Sequence, residues 1–153
     1  MNLSNFELRG STQAIEIVSD ELNWDLHNFA TFVGFRYDAA GGVFEIEWVA
    51  DQVENPWGCP ANRFRACQLR FHGVTSVRIA RDPANMRSDD SFCLHGVSKV
   101  SPSSQEYRFK AEWQDHEPFN LLFEFASGWE IEVDASTAEL IPVASGADKS
   151  RVE

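Results

Sequence analysis

Apolar and polar residues alternate along much of the chain, and a period of two is typical of a β-strand with one buried face. In VFEIEWV (43–49), Phe44, Ile46 and Trp48 fall on one side and two glutamates on the other. The segment GWEIEVDA (128–135) repeats this arrangement. The same pattern predicts strands in CQLRF (67–71), YRFKAEW (107–113) and FNLLFEF (119–125). We therefore expect large rings to form the interior and carboxylates to lie outside.

Turn signals separate these strands and set the fold class. Glycine-containing turns at 38–42 and 126–128 link consecutive strands into hairpins. Further strands are predicted in FATFVGFRY (29–37), TSVRIARD (75–82) and SFCLHGV (91–97). Together they predict a mainly β fold, or a β-dominated α+β fold, with about eight or nine antiparallel strands. We expect a sandwich or half-barrel with at most one or two short helices, and segment 11–22 reads either as a helix or as a strand.

The length and composition indicate one globular domain. The chain has 153 residues, of which 43% are hydrophobic and 12% aromatic, enough apolar surface to offset the entropy lost on folding. We place this domain at residues 1–143 and expect 144–153 to be a flexible tail. The three cysteines are odd in number and the start MNLSNFELRG has no secretory pattern, so we expect a cytoplasmic protein with free thiols and no cofactor. No apolar run is long enough to span a bilayer, so a membrane protein is not expected.

The net charge of −11 argues against binding to nucleic acid or to an anionic membrane. The charges are also distributed unevenly. Residues 55–80 contain four arginines and no acid, whereas residues 111–147 contain eight acids and no lysine or arginine. Two interpretations remain open. The two stretches form neighbouring antiparallel strands whose charges pair across the sheet, or the acidic strands present a negative face to a cationic partner.

Two similar segments, FHGVTSV (71–77) and LHGVSKV (94–100), each place a histidine before a glycine. Cys93 lies two positions before His95, so His72, Cys93 and His95 could begin a zinc site or serve a thiol enzyme. Their spacing matches no common ligand motif, and alternation puts both histidines on the polar side of their strands. We favour a structural interpretation in which each glycine allows a bulge or bend. The small metal-dependent or thiol enzyme is the alternative.

The five tryptophans fall into two groups. Trp48, Trp113 and Trp129 occupy inward positions of predicted strands and are expected in the core. Trp24 and Trp57 fall in predicted loops, where aromatic side chains next to polar groups are common anchors of protein interfaces. Each of these two could instead fold back as a lid on the core.

The order of several segments resembles a known family. The segments are NPW (55–57), a polar stretch with Asn62, CQLRFHGVTSVRI (67–79), FEF-x-SGWEIEV (123–133) and the closing AELIPV (138–143). Over residues 24–143, the chain is similar to small bacterial immunity proteins of polymorphic toxin systems, in particular immunity protein family fifty and its uncharacterised relatives. The resemblance implies a compact β-rich or α+β protein that binds a toxin domain and acts by occupancy, with no catalytic residues.

The acidic stretch and the resemblance together predict a small non-enzymatic binding protein of the bacterial cytoplasm. Its expected partner is a protein, in particular a cationic toxin domain that an acidic sheet face attracts. The residues expected to contact the partner are Glu124, Glu130, Glu132, Asp134, Trp24 and Trp57. No metal is expected in this interpretation.

Overall fold

The computed structural model describes residues 1–9, 14, 16–20, 22–51, 64–81, 93–102 and 117–144. These residues form twelve β-strands, and none of them is helical. The strands are β1 (Asn2–Leu3), β2 (Glu7–Arg9), β3 (Glu16–Ser19), β4 (Leu22–Asp25), β5 (Ala30–Asp38), β6 (Val43–Ala50), β7 (Phe64–His72), β8 (Ser76–Arg81), β9 (Leu94–Val100), β10 (Asn120–Phe125), β11 (Trp129–Asp134) and β12 (Thr137–Ala144). In this part of the chain, no helix has the length and apolar character required to cross a bilayer.

The strands form three sheets, and the two larger sheets face each other as in a sandwich. A five-stranded sheet has the order β1-β12-β7-β6-β5, and a four-stranded sheet has the order β8-β11-β10-β9. Neighbouring strands are antiparallel, except that β1 pairs parallel with β12. A three-stranded antiparallel sheet, β2-β3-β4, contributes to the same core. The predicted mainly β, sandwich-like fold is therefore confirmed.

The core forms where the inward residues of the sheets meet. Phe44, Ile46 and Trp48 on β6 are fully buried, as their alternation predicts. Phe123 of β10 lies against the opposite sheet, with its ring centroid 5.9 Å from that of Trp48 and 6.1 Å from that of Phe71. Burial of each such ring contributes about 2 kcal/mol to the free energy of unfolding. One apolar cluster includes side chains from all three sheets.

Both His-Gly-Val segments change the course of their strands, as the structural interpretation predicts. Gly73 follows β7 with a φ of +61° and begins the crossing to β8 in the other sheet. A Cβ at this position would lie 2.6 Å from Ser136 Oγ, so the close approach favours glycine. Gly96 lies beside a bulge in β9, where the register against β10 shifts. His72 and His95 are both exposed at these kinks.

The predicted turns and strands that fall within the described residues lie where they were expected, but the structure has more strands than predicted. The hairpin turns at 38–42 and 126–128 are confirmed, and their glycines Gly42 and Gly128 have φ values of +62° and +77°. The described part of segment 11–22 is not helical: it contains β3, the start of β4 and a turn at Asp20. The predicted number of strands was too low, because β1, β2 and β4 are too short to show alternation, and the longer β12 contains Pro142, which weakens a strand pattern. The strand predicted at 107–113 and most of the predicted tail lie outside the described residues.

Trp129 is expected in the core from its position in the alternation, but 40% of it is exposed. It shares a side of β11 with buried Ile131 and Val133, but it lies at the start of the strand, opposite Arg81 of edge strand β8. The Arg81 guanidinium carbon lies 5.4 Å from the indole centroid. The predicted core position of Trp129 is therefore wrong, because an inward residue is buried only where another layer covers it. Trp113 lies outside the described residues.

Candidate functional site

Four acidic side chains and one arginine share the outer face of the four-stranded sheet. Ile131 and Val133 of β11 point into the core, so the alternate residues of that strand point outward. The register places outward residues of β8 and β10 beside them. We call this surface the acidic face, and its charged residues are Glu124, Glu130, Glu132, Asp134 and Arg78.

Arg78 is held between two carboxylates of the acidic face. Its Nε donates to Glu132 Oε2 at 3.0 Å, and its Nη2 lies 3.5 Å from Glu130 Oε2. Asn120 Nδ2 donates to the other oxygen of Glu132 at 2.8 Å. Only 10% of the Glu132 side chain is exposed. Glu132 therefore links β8, β10 and β11, and the prediction that it contacts a partner is wrong, because its carboxylate is buried and already bound.

Three carboxylates of the acidic face keep accessible surface. The Glu130 side chain is 33% exposed and lies directly opposite Glu124 in the register of β10 and β11. Like charges in directly opposed positions destabilise a sheet. Glu124 is half-buried, and so is Asp134 at the end of β11. Glu124, Glu130 and Asp134 are thus the acids of this face that a cation from outside can approach.

The outer face of the five-stranded sheet arranges its charges differently. Four neighbouring strands each contribute one residue to a row in register, which we call the charge row: Arg36, Glu45, Arg70 and Glu139. Arg36 Nε donates to Glu45 Oε2 at 2.9 Å, and Arg70 Nε donates to Glu45 Oε1 at 2.7 Å. Arg70 Nη1 lies 3.7 Å from Glu139, and His72 Nε2 lies 3.1 Å from the same carboxylate. The signs alternate along the row, so each charge adjoins an opposite one.

Glu45 is the most strongly held carboxylate of the charge row, and only 10% of its side chain is exposed. Burial acts to raise the pKa of Glu45. The hydrogen bonds and positive charges of Arg70 and Arg36 outweigh this effect, so the pKa lies below its ordinary value of 4.5. The carboxylate is therefore ionised at neutral pH and stabilises the folded form.

These contacts show how the basic and acidic stretches of the chain are used. β7 and β8 belong to the basic stretch, and they pair with β12 and β11 of the acidic stretch. Arg70 approaches Glu139, and Arg78 contacts Glu130 and Glu132. The interpretation as cross-strand charge pairing is confirmed for these residues. Among the residues that the structure describes, the acidic face carries four carboxylates and one guanidinium group.

Trp24 is not a surface residue. It lies on β4 rather than in a loop, it is fully buried, and its ring centroid is 5.8 Å from that of Phe64. The prediction that Trp24 lies in a loop and contacts a partner is wrong, because the three-stranded sheet directs its indole into the core. β4 has only four residues, too few for alternation to reveal it. Trp57 lies outside the described residues, and its role stays a prediction.

The residues of the alternative site belong to two different sheets. His72 ends β7 and contacts Glu139, whereas Cys93 directly precedes β9 and His95 is the second residue of that strand. Instead, His27 in the turn after β4 approaches Cys93, with 3.6 Å between Nδ1 and Sγ. These two residues are 66 positions apart, so local spacing carries no signal of their contact. In the described ranges, no group of three or more His, Cys, Asp or Glu side chains has metal-binding geometry.

The structure also exposes apolar side chains that sequence reasoning did not single out. Val33, Phe35 and Tyr37 on edge strand β5 are 57%, 49% and 47% exposed. The rings of Phe35 and Tyr37 contact the ring of buried Phe44, with 5.5 and 6.0 Å between the centroids. Ile79 on edge strand β8 is also exposed. The inner sides of β5 and β8 are therefore incompletely covered within the described structure.

No protein-family model matches this chain, and no curated protein or solved structure matches it either. The resemblance to immunity proteins therefore stays a prediction that rests on the quoted segments.

Proposed function

We propose that this chain is a protein-binding domain of the immunity type, which inhibits a cationic toxin domain by occupying its surface through the acidic face. The observation that carries the proposal is the charge imbalance of that face. Among the described residues of its strands, four outward carboxylates accompany the single guanidinium of Arg78. The net charge of the chain, −11, likewise favours a partner that is positively charged.

Electrostatic attraction gives this arrangement a kinetic advantage. The field of an acidic inhibitor steers a cationic partner toward it, and salt weakens the effect by screening. A toxin that acts on nucleic acid needs a basic surface for the phosphates. Carboxylates placed in that surface would compete directly with the phosphates of the substrate.

The residues of the acidic face have different roles in this proposal. Glu132 is buried against Arg78 and Asn120, so it supports the sheet. Glu130 is more exposed, and its contact with Arg78 Nη2 is long at 3.5 Å. A weak surface contact of this kind stabilises the fold little. Glu130 can therefore exchange Arg78 for a cation of the partner, with Asp134 and Glu124 beside it.

We place the encounter in the bacterial cytoplasm, where a producing cell has to neutralise its own toxin. The free thiols of Cys67 and Cys93 suit a reducing compartment. In this role the chain acts by occupancy and needs no chemical step of its own.

Co-expression with toxin domains encoded beside the gene of this chain tests the proposal, with growth of the host as the readout. The chain is expected to restore growth. The double variant Glu130→Lys Asp134→Lys is expected to weaken the rescue and to slow association with the purified toxin domain by about tenfold or more at low salt. Glu132 stays unchanged in this variant because its reversal would disrupt the sheet.

The matched control is Glu7→Lys Glu47→Lys, which changes the net charge equally at positions outside the acidic face. This control is expected to keep most of the rescue. Equal losses in the two double variants would mean that only net charge matters. Full rescue by Glu130→Lys Asp134→Lys would exclude the acidic face as the contact surface.

A further inference from the structure

The exposed aromatic side chains of β5 lie outside the acidic face, at one edge of the five-stranded sheet. Among the described strands, β5 pairs only with β6. Phe35 lies opposite Ile46 of β6, and Tyr37 lies opposite Phe44. Both β6 residues are fully buried, whereas about half of each β5 ring is accessible. Neighbouring rings that a sheet leaves uncovered at its edge mark a candidate interaction surface.

The cover over the inner side of β5 ends at Phe32. Its ring centroid is 4.9 Å from that of Phe125 in the four-stranded sheet, and it packs against the core. Val33 then has no partner in the register, which shifts between Phe32 and Gly34. A bulge of this kind hinders pairing with a further strand. The edge that is open to another strand is therefore the regular part of β5 after the bulge, residues 34–38.

The charge row ends at this edge on Arg36. Glu45 and Arg70 each have an opposite charge on both sides in the register, but Arg36 has one only on the side of β6. Its side chain is 77% exposed. Nε and Nη2 of Arg36 donate to Oε2 of Glu45, which leaves the hydrogens of Nη1 without an acceptor in the described structure. A carboxylate on the far side of Arg36 would continue the alternation of signs.

We propose that β5 binds an extended segment of a partner protein, which adds to the five-stranded sheet as a strand and places an acidic residue opposite Arg36. The residues on either side of that acid point to the other side of the sheet, where they meet Phe35 and Tyr37. The segment therefore carries an acidic residue between two apolar ones. Main-chain hydrogen bonds supply affinity, and these side chains supply specificity. The proposal does not depend on toxin binding by the acidic face, which belongs to the other sheet.

A second copy of this chain fits the edge less well than such a segment. Two β5 strands that pair antiparallel about Arg36 bring two guanidinium groups together, and like charges in opposed positions destabilise a sheet. Pairing about Phe35 sets Arg36 opposite a glycine. Pairing about Tyr37 sets it opposite Asp38, but β5 ends there and the Asp38 carboxylate already accepts from the amides of 40–41. Each copy also carries a net charge of −11, so the copies repel each other.

The test titrates the full chain with two short capped peptides and follows its backbone amides by NMR. The first peptide has a central Val-Glu-Val segment between threonines, and the second has Val-Lys-Val in its place. We expect the first peptide to slow hydrogen exchange at the amides of residues 34–38. It should bind about fivefold more tightly than the second peptide. This comparison uses the unchanged protein, so it does not depend on the folding of a variant.

Variants then separate the charge from the apolar contacts. Arg36→Gln is expected to abolish the preference between the two peptides. The matched control Arg81→Gln removes an exposed charge from edge strand β8 of the other sheet and should keep the preference. Phe35→Ser Tyr37→Ser should weaken binding of both peptides by about tenfold. Both rings are about half exposed, so the fold is expected to tolerate their loss.

Several results would overturn the proposal. They are equal binding of the two peptides to the unchanged protein, a preference that survives Arg36→Gln, and protection on a strand other than β5. The absence of protection at β5 with about 1 mM peptide would do the same. Sedimentation without peptide tests the other occupant, and a monomer is expected. A dimer that Phe35→Ser Tyr37→Ser dissociates would assign the edge to a second copy instead.

Discussion

The carboxylates on the outer faces of the two large sheets have different charged neighbours. On the five-stranded sheet, the charge row alternates in sign, and Glu45 lies between two arginines in register. On the four-stranded sheet, the acidic face sets Glu124 directly opposite Glu130, and its described arginine contacts Glu132 more closely than Glu130. Counting described residues only, the charges of one face alternate in sign, and the other face has more carboxylates than guanidinium groups.

The difference separates charges that hold the sheet from charges that are open to a partner. A buried carboxylate loses its hydration, and only closely placed donors offset that loss, so Glu45 and Glu132 are structural. A more exposed carboxylate opposite another one contributes little or slightly destabilises. Glu130 therefore adds little to folding, which leaves it available for binding in the proposed function.

Among these substitutions, the largest loss of stability is expected at Glu132, the buried acid of the acidic face. Glu132→Ala removes the closest partner of Arg78 and an acceptor of the Asn120 amide. We expect the free energy of unfolding to fall by about 3 kcal/mol, measured by urea denaturation. The control Asp134→Ala, on the same strand and face, should change it by less than about 0.5 kcal/mol. Equal losses in both variants would remove the distinction between structural and available acids.

An intermediate loss of stability, which depends on pH, is expected on substitution of Glu45. Its pKa is below the ordinary value of 4.5, so the folded form binds this proton less readily than the unfolded form. The stabilisation is therefore present above the unfolded pKa and is lost as the pH falls through the lower folded pKa. Glu45→Gln should lower the free energy of unfolding by about 1 to 2 kcal/mol at pH 7.

The comparison with Glu47→Gln, on the same strand and face, checks this pH dependence. The difference in unfolding free energy between the wild type and Glu45→Gln should shrink as the pH falls below 4.5. Urea denaturation across this pH range measures it. A difference that stays constant with pH would show that the charge of Glu45 is not the stabilising feature.

The smallest effect on stability is expected at Glu130. Glu130→Gln loses the long contact with Arg78 but also relieves the repulsion with Glu124, so the free energy of unfolding should change by less than about 0.5 kcal/mol. The same variant should slow association with a cationic toxin domain in stopped-flow measurements at low salt. A loss of stability above about 1 kcal/mol would make Glu130 structural and would remove it from the proposed contact surface.

Alternation by itself determined the side of the strand on which many residues lie. Phe44, Ile46 and Trp48 are buried as predicted, because side chains alternate along any strand whatever it packs against. The kinks at Gly73 and Gly96 could also be predicted, since glycine accepts backbone conformations and close approaches that other residues resist. The pairing of basic with acidic strands was one of the two interpretations that the separation of charge along the chain left open.

Only the tertiary structure decided which strands are neighbours and how deeply each position is covered. Trp129 is inward but lies near an uncovered edge, whereas Glu132 is outward but buried against Arg78 and Asn120. The approach of His27 to Cys93 likewise joins distant parts of the chain. A local pattern specifies the side of a strand, but burial and partners depend on elements that fold against it from far away in the sequence.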